Sequence, residues 1–115
     1  MLPRPTDAVF RALNDPTRRA ILEDLRGGGK PVSAIARRYR ISRPAVSKHI
    51  RLLREARLIV DHREGRQRIC FLDPIPLRAV DQWVGQFRDA WRARLGRLKR
   101  HLEAETVPAR RGDGP

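Results

Sequence analysis

The chain has 115 residues, with 26 Lys and Arg against 13 Asp and Glu, a formal charge of +13, and a single cysteine. That length suits one small domain that buries a modest core, and one cysteine excludes an internal disulfide framework and fits a reducing compartment. No run approaches the ~20 apolar residues of a membrane span and Met1 to Thr6 lack the apolar core of a secretory leader, so the expectation is a cytoplasmic protein with a polyanion, not a membrane, as its partner.

Thr6-Asp7 can cap a short helix through Ala8, Val9, Phe10 and Leu13. Asn14-Asp15-Pro16 then breaks and restarts the chain. Asp15 suits an N-cap, and Pro16 suits the first helical position, where its missing N–H costs nothing. The second helix carries Ala20, Ile21 and Leu25 at helical spacing and stops at Gly27-Gly28-Gly29. A third short helix near Ser33 has Ile35, Ala36 and Tyr39 on its apolar side. The bend is Tyr39-Arg40-Ile41. Ser42 can cap a fourth helix with Pro44 in its first turn, ending near Glu55-Ala56. Val46, Ile50 and Leu53 fall at i, i+4 and i+7, so one stripe of that helix faces the core.

Leu58 to His62 and Gln67 to Leu72 read as two strands, with Arg63-Glu64-Gly65-Arg66 as the hairpin tip and Gly65 supplying a positive φ. Asp73-Pro74-Ile75-Pro76 ends the second strand. A long amphipathic helix follows from about Leu77 to about Glu103. The composition from Val107 onward reads as a disordered tail, 107–115, after a single domain, 1–106. The order of four helices, a hairpin and one long helix predicts a mainly α fold with a small β-hairpin wing, a winged helix-turn-helix.

Charge is clustered rather than spread. Residues 25 to 54 hold no acidic residue, yet carry Arg26, Lys30, Arg37, Arg38, Arg40, Arg43, Lys48, Arg51 and Arg54. A helix enters a major groove only if its outer side is free of large apolar groups and offers donors and small side chains. The segment from Ser42 meets that requirement. Arg43 can pair bidentately with guanine, Ser47 can reach a base edge or phosphate, and Pro44 and Ala45 can touch a thymine methyl. Lys48, His49 and Arg51 suit phosphate or edge contacts, with His49 either pointing at DNA or capping the core edge. The free N–H groups at the helix start, with Ser42, add a sequence-blind phosphate site. Arg63, Arg66 and Arg68 of the hairpin suit a narrow minor groove, where negative potential concentrates. Glu64 works against this mildly.

Three stretches carry a family resemblance: Asp15-Pro16-Thr17-Arg18-Arg19-Ala20-Ile21-Leu22, then Ser42-Arg43-Pro44-Ala45-Val46-Ser47-Lys48-His49-Ile50-Arg51-Leu52-Leu53-Arg54-Glu55-Ala56, then Arg63-Glu64-Gly65-Arg66. Together the chain resembles the ArsR/SmtB family of bacterial repressors over roughly residues 7 to 105. The resemblance implies a homodimeric winged helix-turn-helix that binds an operator in double-stranded DNA, represses its own operon and lets go when an inducer binds. The turn after the recognition helix is commonly glycine in that family. Here it is Arg57, for which a left-handed conformation costs about 1 kcal/mol.

Metal sensing is not expected. Where many members of that family carry Cys-x-Cys, this chain reads Val32-Ser33-Ala34-Ile35, and one thiol, Cys70, cannot hold a soft metal. A zinc site on the last helix would need four N/O ligands. His101 and Glu105 lie one turn apart with no second histidine nearby, so no metal and no cofactor is predicted. His62 beside Asp61 reads as an exposed strand pair.

The last helix has an apolar face longer than one small domain can cover: Val80, Trp83, Val84, Phe87, Trp91, Leu95 and Leu98, extended by Leu102. With Phe10 and Leu13 of the first helix it is the expected homodimer interface, because large exposed apolar faces mark partner surfaces. A two-fold dimer would set two recognition helices about one DNA turn apart, matching a palindromic operator. The same aromatics could instead line a site for a small organic inducer. The expected function is a sequence-specific DNA-binding regulator, a homodimeric repressor. The alternative is a sequence-blind DNA- or RNA-binding protein driven by charge alone. An enzyme is not expected, since no nucleophile stands with a base and no glycine-rich phosphate loop follows a strand.

Overall fold

A computed structural model describes residues 7–113, with side chains through Glu105. The elements run α1 (Asp7–Leu13), α2 (Pro16–Leu25), β1 (Lys30–Pro31), α3 (Val32–Tyr39), α4 (Arg43–Glu55), β2 (Ile59–Glu64), β3 (Gln67–Leu72) and α5 (Ile75–Asp113). The mainly α, winged helix-turn-helix architecture is present, with one strand more than the sequence suggests. β1 pairs antiparallel with β3, Lys30 opposite Cys70 and Pro31 opposite Ile69, so the sheet order is β1-β3-β2. β3 is therefore the central strand. Pro31 lacks an N–H and is tolerated because β1 is an edge.

Local chemistry accounts for the helix starts. The Asp15 carboxylate accepts from the Arg18 N–H at 3.0 Å, and Pro16 opens α2. Ser42 Oγ accepts from the Ala45 N–H at 3.2 Å, and Pro44 lies in the first turn of α4. Asp73 Oδ1 accepts from the Ile75 N–H at 3.0 Å, which starts α5 earlier than the expected Leu77. The expected tail, 107–115, falls outside the residues whose side chains are described, as does a cap at Thr6.

The core is built from one stripe of each helix and the inner ends of the strands. Ile21, Val46, Leu53, Leu58, Ile59 and Cys70 are fully enclosed, joined by Val9, Ala12, Leu25, Ile35 and Ile50. The wing pairs Glu64 with Gln67 around Gly65-Arg66. Gly65 has φ 61, and Arg66 is not among the positive-φ residues, the pattern of a two-residue turn with glycine at its first central position. Gly29 is needed for a different reason. A Cβ there would lie 2.4 Å from the Phe71 ring, so only glycine lets the chain pass into β1.

α5 sets the overall shape. Its first turns pack Leu77 and Val80 against the core, and the rest projects as a shaft. At 1.5 Å per residue a 39-residue helix is about 58 Å long. The radius of gyration is 21.9 Å, against about 13 Å for a compact chain of this length. No helix among the described residues is long and apolar enough to cross a membrane.

Candidate nucleic-acid interface

The helix-turn-helix is α3, the bend and α4. Arg40 takes a left-handed conformation (φ 54) and its N–H bonds back to the Ala36 carbonyl, turning the chain in one residue. Half-buried Ile41 anchors the bend on the core. α3 is fastened to α2 through one carboxylate. The Tyr39 hydroxyl donates to Asp24 Oδ2, and Arg38 Nε lies 2.7 Å from the same oxygen. Burial, then the Asp24 carboxylate, pushes the Tyr39 phenol above its ordinary 10.0, so it remains a donor.

With Val46, Ile50 and Leu53 buried, the opposite side of α4 has to face out. Ser42, Arg43, Pro44, Ser47, Lys48 and Arg51 are exposed, and Ala45 is half-buried. His49 is different. Its ring turns toward the start of α2, 4.0 Å from Asp15 and 3.3 Å from Arg18, with 19% of its side chain exposed. It lies off the exposed cationic flank, at the edge of the core.

Arg63, Arg66 and Arg68 of the wing are exposed. They and α4 enclose a cleft of about 470 Å³ lined by Arg43, Ser47 and Arg54 on one side and Arg63, Arg66, Gln67 and Arg68 on the other. Pro31 of β1 and Val32 and Ser33 at the start of α3 also line it. Asp61 stands in the same region and is held by two arginines, Arg54 Nη1 at 3.0 Å and Arg68 Nε at 3.3 Å. Arg68 is thus shared between the wing surface and this internal pair. Glu64 lies 3.1 Å from His62 Nε2. His62 also stacks on Phe71, centroids 5.0 Å apart.

The Arg54–Asp61–Arg68 group is a structural feature that pattern reading misses, because it joins α4 to two strands. A weak signal exists: Asp61 is an acidic residue between two stretches that are otherwise basic. Cys70 is enclosed at the sheet centre, and burial, then Asp61, raises its thiol to about 11. That thiol is a core side chain. His101 pairs with Glu105 at 2.9 Å along α5.

The second surface is apolar. Phe10 meets Trp83 edge-on at 5.7 Å, and Trp83 meets Phe87 at 5.1 Å. Trp83 and Val84 are 37% and 39% exposed, Phe87 53%, Trp91 63%, Leu95 51% and Leu98 52%. These values are high for side chains of their size in a lone chain. Leu13 and Val80, expected on this face, lie half-buried against the chain's own core and offer only their remaining surface.

Comparison with known proteins agrees with the geometry. Residues 13–62 match the helix-turn-helix domain family. The chain is similar to the HTH-type transcriptional regulator Rv2034 of Mycobacterium tuberculosis (strain ATCC 25618 / H37Rv), 46% identical over 84 residues, 73% of this chain and 78% of that protein. It is similar to the transcriptional repressor SdpR of Bacillus subtilis (strain 168), 39% identical over 79 residues, 69% of this chain and 88% of that one. Its fold matches the crystal structure of the ArsR family transcriptional regulator RHA00566 with a TM-score of 0.69 at 36% identity, over 75% of this chain and 89% of that chain. The cationic helix, the wing and these relatives lead to one conclusion: the chain belongs to the ArsR family of helix-turn-helix transcriptional regulators and is a sequence-specific DNA-binding protein.

Proposed function

We propose that the protein is a homodimeric repressor that reads a palindromic operator, with α4 in the major groove and the β2–β3 hairpin as a wing over the adjacent minor groove. The observation that carries this reading is the shared cleft. Arg43 and Ser47 of α4 and the wing arginines present donors to one concave surface, so a duplex lying across its mouth would meet both. Arg43 and Ser47 are the base-reading residues, with Pro44 and Ala45 as apolar contacts. Ser42, Lys48, Arg51, Arg63, Arg66 and the free part of Arg68 hold phosphates, which position the protein without reading sequence. The reaction is binding alone, with no catalytic step and no metal. Its place is the cytoplasm, where bacterial operators are.

The second copy is argued from α5. The apolar positions Val80, Val84, Phe87, Trp91, Leu95, Leu98 and Leu102 are spaced 4, 3, 4, 4, 3 and 4 residues apart. That series reads the same from either end and is centred on Trp91. Two α5 helices running antiparallel about a two-fold axis at Trp91 would set Val84 against Leu98, Phe87 against Leu95 and Val80 against Leu102. Asp81 of one copy then nears Lys99 and Arg100 of the other. The helices leave their domains near Leu77, so the exits lie about 42 Å apart at 1.5 Å per residue, close to the ~34–36 Å between successive major-groove faces. The name of the SdpR relative supports repression over activation. A small organic inducer would act by altering this seam, and Phe10, Trp83 and Phe87 are the aromatics it would meet.

Footprinting and anisotropy on the promoter of its own operon test the proposal. Protection of two half-sites about one turn apart is expected, with roughly a thousandfold preference over random DNA at physiological salt. Equal affinity for both DNAs would favour the sequence-blind alternative.

A further inference from the structure

The recognition helix is fastened to the domain at a point used by neither base nor phosphate contacts. His49 Nδ1 lies 3.3 Å from Arg18 Nη1 and 4.0 Å from Asp15 Oδ2. A guanidinium donates only, so the imidazole nitrogen that meets it is the acceptor and the neutral ring carries its proton on Nε2. The same guanidinium donates Nε to the Ala12 carbonyl at 2.8 Å and Nη2 to the Arg11 carbonyl at 2.8 Å. Both carbonyls belong to the end of α1, and α1 carries Phe10, which packs on Trp83 of α5. One side chain, Arg18, therefore joins the helix of the partner face to the helix that meets DNA.

We infer that His49 is a positioning residue whose neutral ring accepts from Arg18 and holds α4 at the angle DNA binding requires, and that protonation of this ring releases the hold and weakens operator binding. The charged groups facing the ring are Arg18 and Asp15, both at the start of α2; α1 presents carbonyls, reached through Arg18. An imidazolium would meet a guanidinium that two carbonyls keep in place. Asp15 offsets this only in part, because its carboxylate stands at 4.0 Å, beyond hydrogen-bond reach, while the guanidinium is at 3.3 Å. The strain falls on the ring, and α4 shifts with it.

The inference rests on α4 being the DNA-reading helix, but its sign separates it from the ordinary placement of a histidine on that helix. A histidine facing phosphates or base edges gains affinity on protonation. One held by Arg18 loses it.

The test is operator affinity of the full chain from pH 8 to pH 5.5 at constant salt, beside His49→Asn and His49→Leu. The Asn amide oxygen takes the place of Nδ1 and does not titrate. Relative to His49→Asn, the wild type is expected to lose roughly three- to tenfold on acidification, the effect of one hydrogen bond of ordinary net strength. At pH 8 the Asn variant should match the wild type and the Leu variant should bind more weakly. His62 on the wing is present in all three proteins, so any effect of pH through it cancels in the comparison. Should the Leu variant fail to fold, the wild type and Asn pair alone decides. Coincident pH profiles for that pair, or a wild type that gains on the Asn variant in acid, would overturn the inference. Loss of operator preference in every protein at every pH would instead remove the base-reading role of α4, and the inference with it.

Discussion

Arg54, in the last turn of α4, donates to Asp61 of β2 at 3.0 Å, and so ties the end of the recognition helix to the base of the wing. Arg68 of β3 approaches the same carboxylate oxygen at 3.3 Å. The Asp61 side chain is only 11% exposed, so this carboxylate is held in one place while its arginines remain partly in solvent. Asp61→Asn is expected to lower stability by about 1–2 kcal/mol, because a charge-assisted pair becomes a weaker neutral one. It also frees two arginines toward the cleft. Affinity for random DNA should hold or rise while operator preference falls. Urea unfolding and paired operator and random titrations check this, and an unchanged preference with unchanged stability would refute it.

Arg43 and Arg66 face the same cleft from opposite sides, yet should behave differently. Arg43→Ala is expected to cost about 1–3 kcal/mol on the operator and little on random sequence, as the loss of a base contact does. Arg66→Ala should weaken both DNAs alike and reduce the salt slope by about one. Equal loss on both DNAs for Arg43→Ala would move it to the phosphate-binding group.

The fold was legible wherever chemistry is local. Asp15 with Pro16, Ser42 with Pro44, and the Val46, Ile50 and Leu53 stripe are all readable within a few residues, and each is where the sequence puts it. β1 was not legible: two residues, one of them proline, carry no strand signal, and only Ile69 and Cys70 some forty positions away make them a strand. The outward flank of α4 follows from its apolar stripe, but the inward turn of His49 depends on Arg18 and Asp15 from another helix. The Asp61 pair depends on strand register, which sequence spacing does not reveal.

Arg57 sits at φ 63 immediately after α4, so the chain accepts a left-handed arginine where glycine would be relaxed. Its N–H bonds to the Arg54 carbonyl at 2.9 Å, and Leu58 N–H to the Leu53 carbonyl at 2.9 Å, so the turn is fixed on both sides. Arg57→Gly removes the Cβ penalty and should stabilise by about 0.5–1 kcal/mol, a rise of a few degrees in Tm. DNA affinity should change little. A fall in Tm would mean that the arginine side chain contributes more than its backbone costs.

Asp15 should make the stability of α2 depend on pH. The Arg18 N–H is the largest cause of its lowered pKa; the Arg18 and His49 charges add to it, and burial opposes them. Its folded value is below the ordinary 3.8, so its contribution is complete above that value and is lost as pH falls through the lower folded one. Asp15→Ala is expected to cost about 1 kcal/mol near neutrality. The gap in Tm between wild type and variant should close on acidification below pH 3.8. A gap that stays constant to strongly acid pH would show that the carboxylate charge is not what caps the helix.

In the proposed antiparallel α5 seam Trp91 is the symmetric point, and it is 63% exposed in the single chain. Its removal should therefore leave the folded protomer intact. Trp91→Arg places two like charges against each other at a two-fold axis, where the cost cannot be relieved by sliding one helix, because the flanking pairs fix the register. Sedimentation is expected to show monomer at concentrations where the wild type is dimeric, with an unchanged far-UV spectrum. Affinity for a single half-site should persist, and affinity for the full operator should fall toward it, since the second domain is no longer tethered. A variant that remains a dimer would place the two-fold axis elsewhere on the apolar face. The Phe10, Trp83 and Phe87 cluster would then be its next position, and Phe87→Arg the variant that separates the copies.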